Sequence, residues 1–173
     1  MRLTSFSDYA LRMLMYAASN EGRQFTIEQA SQAFGVSKTH LNKVANTLTR
    51  GGFLKAVRGR SGGLLLGGPA ETIRIGDVVR LTEPDFALVE CFATGNQCVL
   101  TSACKLSGMM AEANSAFQAI LDRYTLADIT LSSSAFGVFS PDTPRPPRRS
   151  YNRKPAVPPA MASTEPASPD PRI

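Results

Sequence analysis

Histidine, cysteine and long apolar runs are all scarce in this chain. One histidine, His40, occurs among 173 residues. Nothing near it offers a nucleophile or a carboxylate partner, so catalysis built on an activated histidine pair has no second member, and no enzyme is expected. No apolar stretch approaches the roughly 18 residues of a membrane-spanning helix, which excludes a membrane partner of that kind. The opening MRLTSFSDYALRMLMYAAS is too polar and too charged for a secretory signal and has no small-residue cleavage site. The expected compartment is therefore a reducing cytoplasm.

Acidic residues are sparse at the start of the chain. Residues 1–60 carry nine Lys/Arg against three Asp/Glu, residues 61–130 four against eight, and residues 131–173 six against three. A basic segment followed by an acidic one suits a nucleic-acid reader joined to a different module; the blander reading is an unevenly charged solvated surface. Proline is also nearly missing before residue 141, since ten of the twelve prolines lie between Pro141 and Pro171. That last stretch buries too little apolar surface to order itself, so residues 133–173 are expected to be a disordered Pro-rich tail. Its basic portion, RPPRRSYNRK, offers charge to DNA phosphates, or is only solvated.

What is present is a succession of helix signals. Ser7 is a candidate N-cap for a first helix over 7–20, with Tyr9, Leu11, Met13, Leu14 and Ala17 on its apolar face and Gly22 beyond its end. Thr26 caps a second helix, IEQASQAFG, stopped at Gly35. Ser37 caps a third, KTHLNKVANTLTRGG, stopped at Gly51 and Gly52. Two short apolar runs follow, FLKAVRG and GGLLLGG, joined by a glycine-rich turn that signals a hairpin. Residues 75–81 read as another helix, ended near Pro84. A long helix carries Leu106, Met109, Met110, Ala113, Phe117, Ile120, Leu121 and Tyr124 at helical spacing.

Two short helices, a turn, a third helix and a basic hairpin make the order of a winged helix-turn-helix. A helix beginning near Ser37 can enter the major groove of double-stranded operator DNA, with residues of its first turns facing base edges. Ser37, Lys38, Thr39, His40, Asn42 and Lys43 are the candidate readers, while Leu41, Val44 and Leu48 face inward. In the hairpin, Arg58, Arg60 and Ser61 are candidates for phosphate or minor-groove contact. Taken singly, a polar helix face is usually just an exposed face. The succession of elements at these spacings is what points to DNA.

The three cysteines, Cys91, Cys98 and Cys104, fall within fourteen residues of an otherwise cysteine-free chain. Six residues separate the first pair and five the second. Zinc sites favour pairs about two to four residues apart and a fourth Cys or His, and neither is present. Iron–sulfur clusters accept looser loops because their iron corners are widely separated. Three thiolates leave one corner for another ligand. Three buried cysteines acting as small hydrophobes, or a thiol redox switch without metal, are the alternatives.

The opening LTSFSDYALRMLMYAA, the GVSKTHLNKVANTL helix, the hairpin VRGRSGGLLLG, the following IRIGDVVR and the three cysteines together resemble the winged-helix family of iron–sulfur transcription regulators over roughly residues 1–130. Within it, the acid at Asp8 and the YTLADI stretch resemble the nitric-oxide-sensitive repressors of the NsrR type. The family's cluster-biogenesis regulators place a histidine soon after the third cysteine, where this chain reads KLSGMM. Its rhizobial iron regulators usually lack an acid at the Asp8 position, although CFATGNQC is similar to their cysteine loop.

The resemblance implies a mainly α fold with a small β-wing, a winged helix-turn-helix plus a long dimerisation helix. It implies a winged helix over 1–70, then a cluster-binding loop and dimerisation helix over 71–132. It implies a homodimer whose metal ligands are Cys91, Cys98 and Cys104, with Asp8 donated across the dimer. The cofactor implied is a 4Fe–4S cluster, with 2Fe–2S as the alternative, and the function is repression relieved by nitric oxide. An iron- or cluster-status regulator of the same fold, and a redox carrier or enzyme using the cluster, are the competing readings.

Overall fold

The computed structural model describes residues 2–20, 22–59, 62–100, 103–132 and 136. All of these lie in one unit, residues 1–143. The fold is mainly helical with a two-stranded antiparallel sheet, in the order α1 (Ser5–Ser19), α2 (Ile27–Phe34), α3 (Lys38–Arg50), β1 (Leu54–Val57), β2 (Gly63–Leu66), α4 (Ile75–Thr82), α5 (Lys105–Arg123) and α6 (Leu126–Ile129). This is the fold class expected from the sequence.

Helix α1 starts two residues earlier than its pattern suggests. Its N-cap is Thr4, not Ser7: Thr4 is extended, and its hydroxyl accepts the Ser7 N–H at 3.3 Å. Ser7 is fully buried, and its hydroxyl is spent elsewhere, 2.8 Å from that of Thr82 in α4. Helix α2 has the expected cap. Thr26 and Gln29 satisfy each other's backbone N–H groups in a capping box, and Gly35 ends the helix in the left-handed conformation at φ 66°.

One core joins these helices. Met13, Leu14 and Tyr16 of α1 meet Leu41, Val44 and Leu48 of α3, Leu54 and Leu64 of the sheet, Val78 of α4 and Leu126 of α6. Tyr16 stacks edge-on against Phe25, Phe34 and Phe136, with ring centroids at 5.1, 5.7 and 5.7 Å. Phe136 was expected in a disordered tail from residue 133. An aromatic ring gains enough by covering Tyr16 to join the core instead. The remainder of that expected tail, residues 133–135 and 137–173, lies outside the described residues.

The sheet pairs Leu54 with Leu66 through Val57 with Gly63. Phe25 adds a rung on the other side of β2 by exchanging two backbone hydrogen bonds with Leu64, at 3.0 and 2.7 Å. Gly67 closes the base of the hairpin. Its N–H reaches the Phe53 carbonyl at 2.8 Å, and a Cβ there would collide with the Gly52 carbonyl oxygen.

Helix α5 leans chiefly on α4. Arg80 bridges the two helices to Asp122, and Gly76 lets Asp122 approach, since a Cβ at 76 would strike its carboxylate. After α5 the chain turns back, and Arg74 and Thr125 form an isolated antiparallel bridge. The Ile75 N–H binds the Tyr124 carbonyl at 3.0 Å and the Leu126 N–H binds the Ile73 carbonyl at 2.8 Å. The apolar stripe of α5 is largely uncovered. Leu106, Met109, Ile120 and Tyr124 are 47–59 % exposed, so packing within this chain leaves them uncovered.

Candidate nucleic-acid interface and cysteine loop

The α2–α3 turn is built from Gly35, Val36 and Ser37. Ser31 Oγ donates to the Val36 carbonyl at 2.7 Å, tying the turn to α2. Ser37 Oγ accepts the His40 N–H at 3.4 Å and starts α3. Burial then sorts α3 by face. Leu41, Val44, Ala45 and Leu48 are buried, while Ser37, Lys38, Thr39, His40, Asn42 and Lys43 are exposed. The structure thus brings all six candidates of the third helix onto one solvent-facing surface. Asn46 and Arg50 are exposed on the same helix, one and two turns beyond Asn42, and extend that surface. Their helical spacing from Asn42 is a signal legible in the sequence.

Two features modify this face. Lys38 is engaged in an ion pair with Glu28 of α2. His40 and Lys43 border a cleft of about 310 Å³ whose other walls are Ser5, Phe6 and Tyr9 of α1 and Val44. The start of α1 therefore flanks the candidate reading helix. In the hairpin, Lys55 and Arg58 are exposed, whereas Arg60 and Ser61 lie outside the described residues.

The cysteine segment is irregular, as expected. Cys91 sits in a single turn of 3₁₀ helix, Glu90–Phe92. The Cys98 N–H binds the Asn96 side-chain oxygen at 2.8 Å, and Gly95 takes φ 86°. Cys104 is the N-cap residue of α5, and its side chain makes no capping hydrogen bond to the helix. All three cysteines are half-buried. Among the described residues no three His, Cys, Asp or Glu side chains gather into a set able to hold a metal ion. The Asp8 carboxylate is turned to Arg12, with a contact of 2.7 Å on its own helix. The donor set suits an iron–sulfur cluster in kind, three thiols and a carboxylate, but this arrangement does not draw it together.

The chain matches the Rrf2 family, described as iron-dependent transcriptional regulators, over residues 3–131. Among solved structures it is similar to CymR (YrzC), the global cysteine regulator of B. subtilis, at 22% identity and a TM-score of 0.61, covering 78% of this chain and 98% of that one. It is similar to Staphylococcus aureus CymR at 24% identity and a TM-score of 0.58, covering 71% and 93%. It is similar to T. potens IscR at 21% identity and a TM-score of 0.58, covering 75% and 85%. At these identities the likeness speaks for the fold alone. No helix among the described residues is long and apolar enough to cross a membrane.

Proposed function

We propose a function from one premise: this chain belongs to the Rrf2 family of transcriptional regulators, which are not enzymes. On our reading it is a cytoplasmic, nitric-oxide-sensitive repressor that binds a two-fold symmetric operator as a homodimer. The observation that carries DNA binding is the sorting of α3, apolar residues inward and six polar candidates outward. Each α3 would enter one major groove, with half-sites about one helical turn apart. The exposed stripe Leu106, Met109, Ile120 and Tyr124 supports a two-fold contact along α5, which would remove that apolar surface from water.

Cys91, Cys98 and Cys104 would hold a cluster, 4Fe–4S by preference, with Asp8 of the partner subunit as fourth ligand. When bound, such a cluster supplies iron that reacts with nitric oxide. The chain's own residues set the response. Asp8 is a harder donor than the thiolates and the weakest held of the four. It also has a rival partner in Arg12, in an exposed pair of the kind worth about 0–1 kcal/mol, so its choice between the two is easily tipped. Asp8 rides on α1, which packs on α3 and is tied to α4 through Ser7–Thr82 and Thr4–Glu83. A shift of α1 therefore reaches the reading surface. A loss of about 2–3 kcal/mol in DNA affinity gives a tens- to hundredfold release.

Anaerobic titration with nitric oxide, following absorbance and operator binding together, tests this. Release at a few equivalents is expected; release only on iron chelation would favour an iron- or cluster-status regulator, a reading that the family's iron-dependent description supports. Cys98→Ser should abolish both the visible absorption and specific binding. If the variant kept both, the cluster reading would be wrong.

A further inference from the structure

We propose that Glu28 is a specificity-determining residue of the DNA-reading surface: its carboxylate holds the Lys38 ammonium on the protein and keeps it off the phosphates of non-cognate DNA. The inference rests on the reading of α3 as the recognition helix. Glu28 stands in the first turn of α2 and Lys38 is the first residue of α3, so the pair spans the helix-turn-helix at its groove-facing end. Gln32 Nε2 donates to Glu28 Oε1 at 3.3 Å, steadying the carboxylate from one turn along α2. The Lys38 ammonium is the main reason the Glu28 carboxyl stays below its ordinary range. Both side chains remain about half exposed, at 59% for Lys38 and 49% for Glu28, so DNA can reach them.

A lysine ammonium is a compact point charge that any phosphate satisfies, and such contacts supply sequence-independent affinity. In helix-turn-helix docking the first helix crosses the phosphate backbone, and the start of the second meets the bases. An unpaired Lys38 there would add to binding on every sequence. Paired with Glu28 it presents no net charge and releases few counterions from random DNA. A phosphate that approaches the pair meets the Glu28 carboxylate as a like charge. A guanine edge carries no net charge and offers O6 and N7 side by side, so Lys38 can reach it without that repulsion. The matching ligand is duplex DNA with a guanine opposite Lys38. A first-turn glutamate that merely favours the helix dipole is the plain alternative, and it would leave DNA selectivity untouched.

The test uses the full chain with Glu28→Gln, Lys38→Met and both together. Fluorescence anisotropy follows binding to a duplex selected by the wild-type protein from a random library, and to poly(dA-dT), which lacks guanine edges. Glu28→Gln should steepen the salt dependence on poly(dA-dT) by about one unit of slope. It should tighten that binding about eightfold at ~0.1 M salt, as one added phosphate contact does. The ratio of selected to poly(dA-dT) affinity should fall, and the double variant should behave as Lys38→Met. A wild-type slope and ratio in Glu28→Gln, or a gain that persists with Lys38→Met, overturns the proposal. A wild-type protein that selects no sequence at all sinks the recognition-helix reading beneath it, and is seen before any variant is made.

Discussion

Arg80 of α4 grips Asp122 of α5 with both terminal guanidinium nitrogens, at 2.6 and 3.2 Å. One of those nitrogens also reaches Asp77 at 2.7 Å. Asp122 can sit there only because residue 76 has no side chain. The junction between α4 and the long helix α5 thus depends on a glycine and a charged clamp acting together.

Gly76→Ala should therefore expel Asp122 from the clamp. Overpacking costs about 1–3 kcal/mol, and alanine returns about 0.5–1 kcal/mol inside a helix. A net loss near 1 kcal/mol is expected, seen as a fall of about 2–4 °C in Tm for a chain of this size. With Asp122→Ala already in place, the same substitution should become neutral or stabilising. A calorimetric double-mutant cycle that turns out additive would show that the two positions do not share one contact.

The wing should be far less forgiving at Gly67. The obstacle there is the Gly52 carbonyl, which is backbone and cannot swing aside. Gly67→Ala should cost about 3 kcal/mol and release the amides of Phe25 and Leu64 to hydrogen exchange. Gly68→Ala is the control, because its Cβ would meet only Thr72 Oγ1 at an ordinary 3.6 Å. Equal exchange in the two variants would refute the argument.

Burial pushes the Tyr16 phenol above its ordinary value of 10.0, opposed in part by the Asn20 side chain. The folded chain therefore keeps a proton that the unfolded chain releases near pH 10. This contribution to stability is complete below that pH and is lost as pH rises through the folded value. Tyr16→Phe keeps the three edge-on ring contacts and has no proton to lose. Urea midpoints at pH ~8 and ~11 should converge for the variant and diverge for the parent; parallel curves would remove Tyr16 from alkaline unfolding.

Much of this fold is written in local signals. Thr26, Ser37 and Gly35 each bound a helix by chemistry acting within four residues, and the hairpin follows from glycines beside apolar runs. What escaped notice is long-range. Ser7 has the same chemistry as a cap, and only folding shows that its hydroxyl is taken by Thr82, 75 residues away. Helix α6 is a four-residue turn held by a capping box between Thr125 and Asp128, too short to display a period. Phe136 joins the core from a stretch whose composition argues for disorder. The Glu28–Lys38 pair joins two helices that were read separately. The periodicity of α5 marked its apolar face but carried no word on what covers it. Likewise the spacing of the cysteines named a donor set without fixing where the thiols stand.

The bridge between Arg74 and Thr125 brings together the two ends of the segment between them, while α4 inside that segment stays in the core through Val78. Closing a loop costs free energy that rises only slowly with its length. The cysteine segment inside it is therefore interchangeable in an engineering sense. Residues added or removed there leave the Arg74–Thr125 closure in place.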